Sequence, residues 1–174
     1  MTTLVPPCVV ILLAVIGAGW DLAERRVPNA FTFGAAVFAF VYFAVVKGAG
    51  GLATSLLGWA AGLALFLPLF AVGALGAGDV KLLAAFGAWL GPAGVLVAAL
   101  CASILGGVMA VAVAAVNGNL GRALRNVGTI LNMWRVMGPR RIEGLTLDDA
   151  PGPRLAYAVP IAAGAVVALF WRHW

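Results

Sequence analysis

The sequence predicts an all-α, polytopic membrane protein with about six transmembrane or half-membrane helices. Of its 174 residues, 64% are hydrophobic and only 10% are charged, and the mean hydropathy is +1.08. Soluble proteins carry about 25% charged residues, so this composition excludes a soluble globular domain. The loops between the apolar runs are mostly too short to fold alone, and residues 1–174 are therefore expected to form one membrane-embedded domain.

The predicted helices correspond to five long apolar runs and one shorter segment. A helix needs about 17–25 apolar residues to cross a bilayer. The long runs are residues 4–20, 30–46, 52–75, 93–116 and 155–171. Residues 80–90 are too few to cross and are expected to form a half-span that packs inside the protein. In the third run, Gly58 and Gly62 form a small-xxx-small pair, which would let a neighbouring helix approach closely.

The one long polar segment, residues 117–154, is predicted to contain an amphipathic helix. Its apolar side chains recur at helical spacing opposite polar positions, at Leu124, Val127, Ile130, Leu131 and Trp134. A basic helix with such a stripe is typical of a helix that lies on the membrane surface.

The distribution of basic residues predicts the orientation of the chain. With the N-terminus outside, one membrane face holds the polar clusters at residues 21–29, 76–81 and 117–154. That face carries nine of the eleven lysines and arginines. Because cytoplasmic loops are enriched in Lys and Arg, this face is expected to be cytoplasmic. Asp21 and Asp79 then both lie at the cytoplasmic membrane boundary.

Asp21 and Asp79 are the candidate catalytic residues. An ionisable group in or near the bilayer is costly and usually functional. Two carboxylates that share one proton can hydrolyse a peptide bond, because one takes a proton from water while the other polarises the scissile carbonyl. Gly76 and Gly78 would let a substrate backbone or a partner helix approach Asp79. The residues alone do not assign which carboxylate is the base.

Other interpretations of these residues stay open at this point. Asp21 could be a cap or a loop charge, Asp79 could pair with Lys81 or Arg25, and Glu24 could be a solvated loop charge. A second function is a small proton- or cation-coupled transporter, and a third is a non-catalytic scaffold of a pilus or secretion machine. Neutralising each aspartate separates them, because a protease loses cleavage, a transporter loses flux and a scaffold loses assembly.

Metal, cofactor and nucleic-acid chemistry are not expected. Cys8 and Cys101 lie inside apolar runs without a CxxC motif, and His173 is the only histidine. These residues form no pattern of metal ligands or disulfides. No basic stripe is interleaved with polar residues on a soluble element, so nucleic acid is not an expected partner.

Three motifs carry a family resemblance. Residues 76–82 read Gly-Ala-Gly-Asp-Val-Lys-Leu, Asp21 is followed by Arg-Arg-Val-Pro-Asn at residues 25–29, and the tail reads Tyr-Ala-Val-Pro-Ile-Ala at residues 157–162, with Gly164. Together they resemble the type IV prepilin peptidases, which are GxGD membrane aspartic peptidases, over nearly the whole chain. The tetrapeptide alone is a weak signal, but the combination in a chain of apolar segments is specific.

The resemblance implies an aspartic endopeptidase of the bacterial inner membrane that removes the short basic leader of prepilins and pilin-like proteins at the cytoplasmic face. Asp21 and Asp79 would be the catalytic pair, supported by Gly76, Gly78, Lys81, Pro28 and Asn29. Prepilins, membrane lipid and pilus assembly machinery would be its partners. The compact size resembles the stand-alone peptidases of Flp/Tad-type pilus systems. The chain lacks the insertion with paired CxxC motifs found in bifunctional members, so N-methyltransferase activity is not implied.

Overall fold

The fold is all-helical in a computed structural model that describes residues 4–142 and 155–171. Its five helices are α1 (Val5–Glu24), α2 (Asn29–Ala71), α3 (Ala77–Val116), α4 (Leu120–Met137) and α5 (Ala158–Trp171). The first three are long and apolar enough to cross a membrane. The predicted all-α class is confirmed for these residues, whereas the expected count of about six spanning or half-spanning helices is not confirmed.

Helix α2 consists of two halves, residues 29–47 and 49–71, that fold back against each other. Gly48 interrupts the helix with φ 63° and ψ −154°, a conformation that favours glycine. The ring centroids of Phe40 and Trp59 lie only 6.3 Å apart. A straight helix would separate these two positions by about 28 Å. The chain therefore turns back at Gly48, between the second and third apolar runs of the sequence.

Helix α3 is interrupted in the same way at Gly91, where φ is 70° and ψ is 178°. Its first half, residues 77–90, is the centre of the protein, because every residue from Val80 to Gly91 except Lys81 is buried. The prediction that residues 80–90 pack inside the protein is thus confirmed. The second half, residues 92–116, begins with a proline, which is tolerated in the first turn of a helix.

Close packing between α2 and the first half of α3 depends on glycine. A Cβ atom added at Gly58 would overlap the carbonyl oxygen of Gly87, and one added at Gly62 would lie 2.7 Å from the Cα atom of Ala84. The predicted small-xxx-small contact is confirmed, and its partner is the helix half that carries Asp79.

Gly58→Ala is expected to lower the free energy of unfolding by about 1–3 kcal/mol. The added methyl group would overlap the backbone of α3, which cannot move away without shifting the whole helix. The measurement is the thermal unfolding midpoint of the purified chain in detergent. Gly34→Ala is the matched control, since a Cβ atom at Gly34 in the same helix meets no atom within 4 Å. Equal midpoints for the two variants would contradict this account of the interface.

The last helix is shorter than the predicted run of residues 155–171. The N–H of Tyr157 donates to the carbonyl of Leu155 in a turn, and α5 begins only at Ala158. Its fourteen residues extend about 21 Å, less than the roughly 30 Å of a bilayer core. The Tyr157 hydroxyl donates to the carbonyl of Ala102 at 3.4 Å, so α5 starts beside the second half of α3.

Helix α4 confirms the predicted amphipathic helix, and none of its residues is buried. It begins shortly after α3 ends. Its last turn contains one basic residue, Arg135. The part of the polar segment after residue 142, up to residue 154, lies outside the described residues.

Candidate active site

A cavity of about 410 Å³ opens at one end of the helix bundle, between the end of α1, the α2–α3 connection and the start of α3. Asp21 and Asp79 both line it. Four of the predicted supporting residues line it as well, namely Gly76, Gly78, Lys81 and Asn29. The fifth, Pro28, is not a lining residue and instead forms the N-cap of α2.

Asp21 lies in the last turn of α1 and is buried, with 7% of its surface exposed. Its Oδ2 atom accepts a hydrogen bond of 3.0 Å from the backbone N–H of Ala158. Ala158 is the first residue of α5, so this N–H has no acceptor within its own helix. The start of a helix also attracts negative charge through its dipole. The carboxylate of α1 is therefore held by the N-terminus of α5.

Asp79 is the third residue of α3 and is half-buried. Its Oδ2 atom accepts a hydrogen bond of 3.2 Å from the backbone N–H of Gly76, the N-cap residue of the same helix. This is the side-chain part of a capping box, which satisfies an N–H that the helix leaves unpaired. Capping therefore fixes the carboxyl group at the cavity wall.

The two carboxyl groups are close enough for the charge of Asp21 to act on the carboxyl group of Asp79. The charge of Asp79 acts in turn on the phenol of Tyr157. The predicted meeting of the two aspartates at one cavity is thus what the helix packing produces.

Asn29 does not cap α2, although asparagine is among the residue types preferred at the N-cap. The N-cap is Pro28, with φ −61° and ψ 137°, and Asn29 is the first residue inside the helix. The Oδ1 atom of Asn29 instead accepts a hydrogen bond of 2.9 Å from Nζ of Lys81. The asparagine therefore ties the start of α2 to the first turns of α3 and holds an ammonium group at the cavity wall.

Sequence reasoning missed two contributors to the site. Ala158 acts through its backbone N–H, which no residue type reveals, and its only signal was the tail motif at residues 157–164. Arg141 lines the cavity from the segment after α4. Glu24, in contrast, is exposed and is not a lining residue.

Comparison with known families decides what kind of protein this is. A model of the type IV leader peptidase family matches residues 8–111, more than half of the chain, and this range includes both aspartates. The chain belongs to the type IV leader peptidase family. The match ends before α4 and α5, so the N–H of Ala158 lies outside it. No curated protein and no solved structure matches the chain.

Membership of the type IV leader peptidase family identifies the chain as a member of a protease family, and its three long apolar helices indicate a membrane protein. Across residues 4–142 and 155–171, no group of three or more His, Cys, Asp or Glu side chains could hold a metal ion. The acidic groups of the cavity described above are Asp21 and Asp79.

Proposed function

We propose that this type IV leader peptidase is an aspartic endopeptidase that removes the short basic leader of prepilins or pilin-like proteins at the cytoplasmic face of the inner membrane. The observation that carries the proposal is the shared cavity, which brings Asp21 from the end of α1 to Asp79 at the start of α3. Both residues also lie in the range that matches the family.

In the proposed reaction the two carboxyl groups share one proton. The ionised carboxylate takes a proton from a water molecule as the water oxygen attacks the scissile carbonyl carbon, and the protonated carboxyl group donates a hydrogen bond to the carbonyl oxygen. When the tetrahedral intermediate breaks down, the C–N bond cleaves and a carboxyl proton passes to the leaving nitrogen. The products are a leader with a new carboxyl terminus and a mature protein with a new amino terminus.

The hydrogen bonds of the site support a reaction in which both carboxyl groups take part. Each carboxyl group is held by a backbone N–H through its Oδ2 atom, Asp21 by Ala158 and Asp79 by Gly76. In the proposed reaction the Oδ1 atoms are the ones that contact water and substrate. Holding reacting groups in a fixed orientation lowers the entropy that the chemical step must lose.

The wall of the cavity is richer in basic than in acidic side chains. Its basic members are Arg25, Arg26, Lys81 and Arg141. Because these four basic side chains outnumber the two carboxyl groups of the wall, we propose that the scissile bond enters the cavity while the basic residues of the leader stay outside it. Glu24, the other acidic residue of α1, does not line the cavity.

The experiment is leader cleavage of a co-expressed, C-terminally tagged prepilin in membranes that contain the full chain. Mass spectrometry of the tagged product gives its first residue. We expect a product that begins at or near the start of the hydrophobic helix of the pilin and that is absent without the peptidase. Failure to cleave a panel of type IV and Flp-type prepilins, with the peptidase present and inserted, would contradict the proposal.

Gly78→Ala is expected to lower the cleavage rate by about tenfold or more, because a small displacement of a bound substrate from its reactive geometry has a large effect on rate. Gly78 lines the cavity, and a Cβ atom added there meets no protein atom within 4 Å, so the fold tolerates the change and the methyl group enters the substrate space. Initial rates of cleavage at matched protein levels provide the measurement. Gly19→Ala, equally free of contacts but outside the lining, is the control. A Gly78→Ala rate equal to that of Gly19→Ala would show that substrate does not approach this face.

A further inference from the structure

Helix α4 presents an apolar stripe that no part of the described chain covers. Leu124, Val127 and Leu131 are 62%, 54% and 58% exposed. They lie three, four and seven residues apart and therefore share one face of the helix. The opposite face carries polar side chains, including Arg125 and Thr129, together with Val136 near the end of the helix. A helix of this kind buries its apolar face only against something outside itself.

The positive charge of residues 120–142 favours an anionic lipid surface as the partner that covers the apolar stripe. Residues 120–142 contain five arginines and no acidic residue, at positions 122, 125, 135, 140 and 141. A second copy of the chain would bring the same arginines together, and like charges repel. An anionic lipid surface attracts the basic residues near it and accepts apolar side chains at the same time.

The position of α4 relative to the other helices agrees with a lipid surface. It starts at Leu120, four residues after the end of α3 at Val116, and α3 is one of the helices long enough to cross a membrane. After α4 the chain returns to the cavity, because Arg141 lines it. A hydrogen bond of 3.0 Å from Nε1 of Trp134 to the carbonyl of Arg140 links α4 to the residue before Arg141.

We propose that α4 docks on the anionic lipid surface at the cavity end of the protein, with its apolar stripe among the acyl chains and its arginines at the headgroups. Through the bond between Trp134 and Arg140, the docked helix also keeps the segment that carries Arg141 at the cavity wall. The proposal concerns lipid binding and does not depend on the proposed peptidase activity.

The test uses the full chain with Cys8→Ala and Cys101→Ala, labelled with an environment-sensitive fluorophore after Leu124→Cys. The protein is reconstituted in nanodiscs of phosphatidylcholine alone or mixed with phosphatidylglycerol, with and without spin-labelled lipid. Thr129→Cys, on the opposite face, is the matched control. We expect a blue shift and quenching by spin-labelled lipid at position 124, larger with phosphatidylglycerol and smaller in high salt, and neither effect at position 129.

Each other outcome overturns the proposal. Emission at position 124 that is water-like in both lipids would mean that α4 does not dock. A blue shift without quenching by lipid would mean that protein, such as a second copy, covers the stripe. Equal quenching with and without phosphatidylglycerol would show that the charge of the lipid does not contribute to docking. Arg122→Gln with Arg125→Gln is expected to abolish the phosphatidylglycerol dependence while the chain stays inserted.

Discussion

Leader cleavage is expected to fall by at least about 10²–10⁴-fold in Asp79→Asn and in Asp21→Asn tested separately, because a positioned acid–base group contributes about this much to a rate. An asparagine has nearly the same shape as an aspartate but can neither take the proton of water nor share a proton with its partner. Its side-chain oxygen can still accept the N–H of Gly76 or Ala158, so the fold should persist. Cleavage of a co-expressed prepilin, with peptidase levels in the membrane measured alongside, provides the test.

Glu24→Gln is the matched control for Asp21→Asn. It neutralises a carboxylate on the same helix, but Glu24 is exposed and does not line the cavity. We expect cleavage close to that of the unmodified chain. If either aspartate variant cleaves as well as Glu24→Gln while inserted at the same level, the two-carboxylate mechanism is wrong.

Ala158→Pro is expected to lower the cleavage rate by about 10- to 100-fold, because it removes a hydrogen bond to a charged group, which contributes about 1.5–3 kcal/mol. The N–H of Ala158 holds Oδ2 of Asp21, and proline has no N–H. Proline is well tolerated at the first position of a helix, which is the position of Ala158 in α5. The measurements are kcat and KM for a prepilin peptide, and the expected loss is in kcat.

Ala158→Gly is the control for this prediction, since it keeps the N–H while changing the same buried position. Replacing the Ala158 residue by lactic acid, which exchanges the amide for an ester, removes the N–H without a ring and serves if the proline variant does not insert. Full activity of an inserted variant that lacks this N–H would show that α5 does not position Asp21.

The sequence predicted the parts of the fold that depend on side-chain type and segment length. Gly58 and Gly62 indicated close helix packing because only small side chains allow it, and residues 80–90 indicated a buried segment because they are apolar and too short to span. The two aspartates stood out because carboxylates are costly beside apolar runs. The structure bears out both packing predictions and brings both aspartates to one cavity.

What the sequence missed depends on backbone geometry and on distant partners. Asn29 is a good N-cap by residue type, but Pro28 takes the cap and the amide of Asn29 reaches Lys81, far along the chain. Helix α5 begins three residues later than the predicted run because the chain forms a turn at Tyr157, and hydropathy alone does not indicate such a turn. The contact between Ala158 and Asp21 uses a main-chain N–H, and every residue except proline has one.

The bond between Asp21 and Ala158 has a consequence for biosynthesis. Asp21 leaves the ribosome early, whereas the N–H that holds it is 137 positions later in the chain. A nascent chain that has not yet delivered α5 therefore carries both aspartates but lacks the group that orients one of them. Under the proposed mechanism, the arrangement of the two carboxyl groups is complete only after α5 has joined the bundle, so leader cleavage cannot begin before α5 has been synthesised.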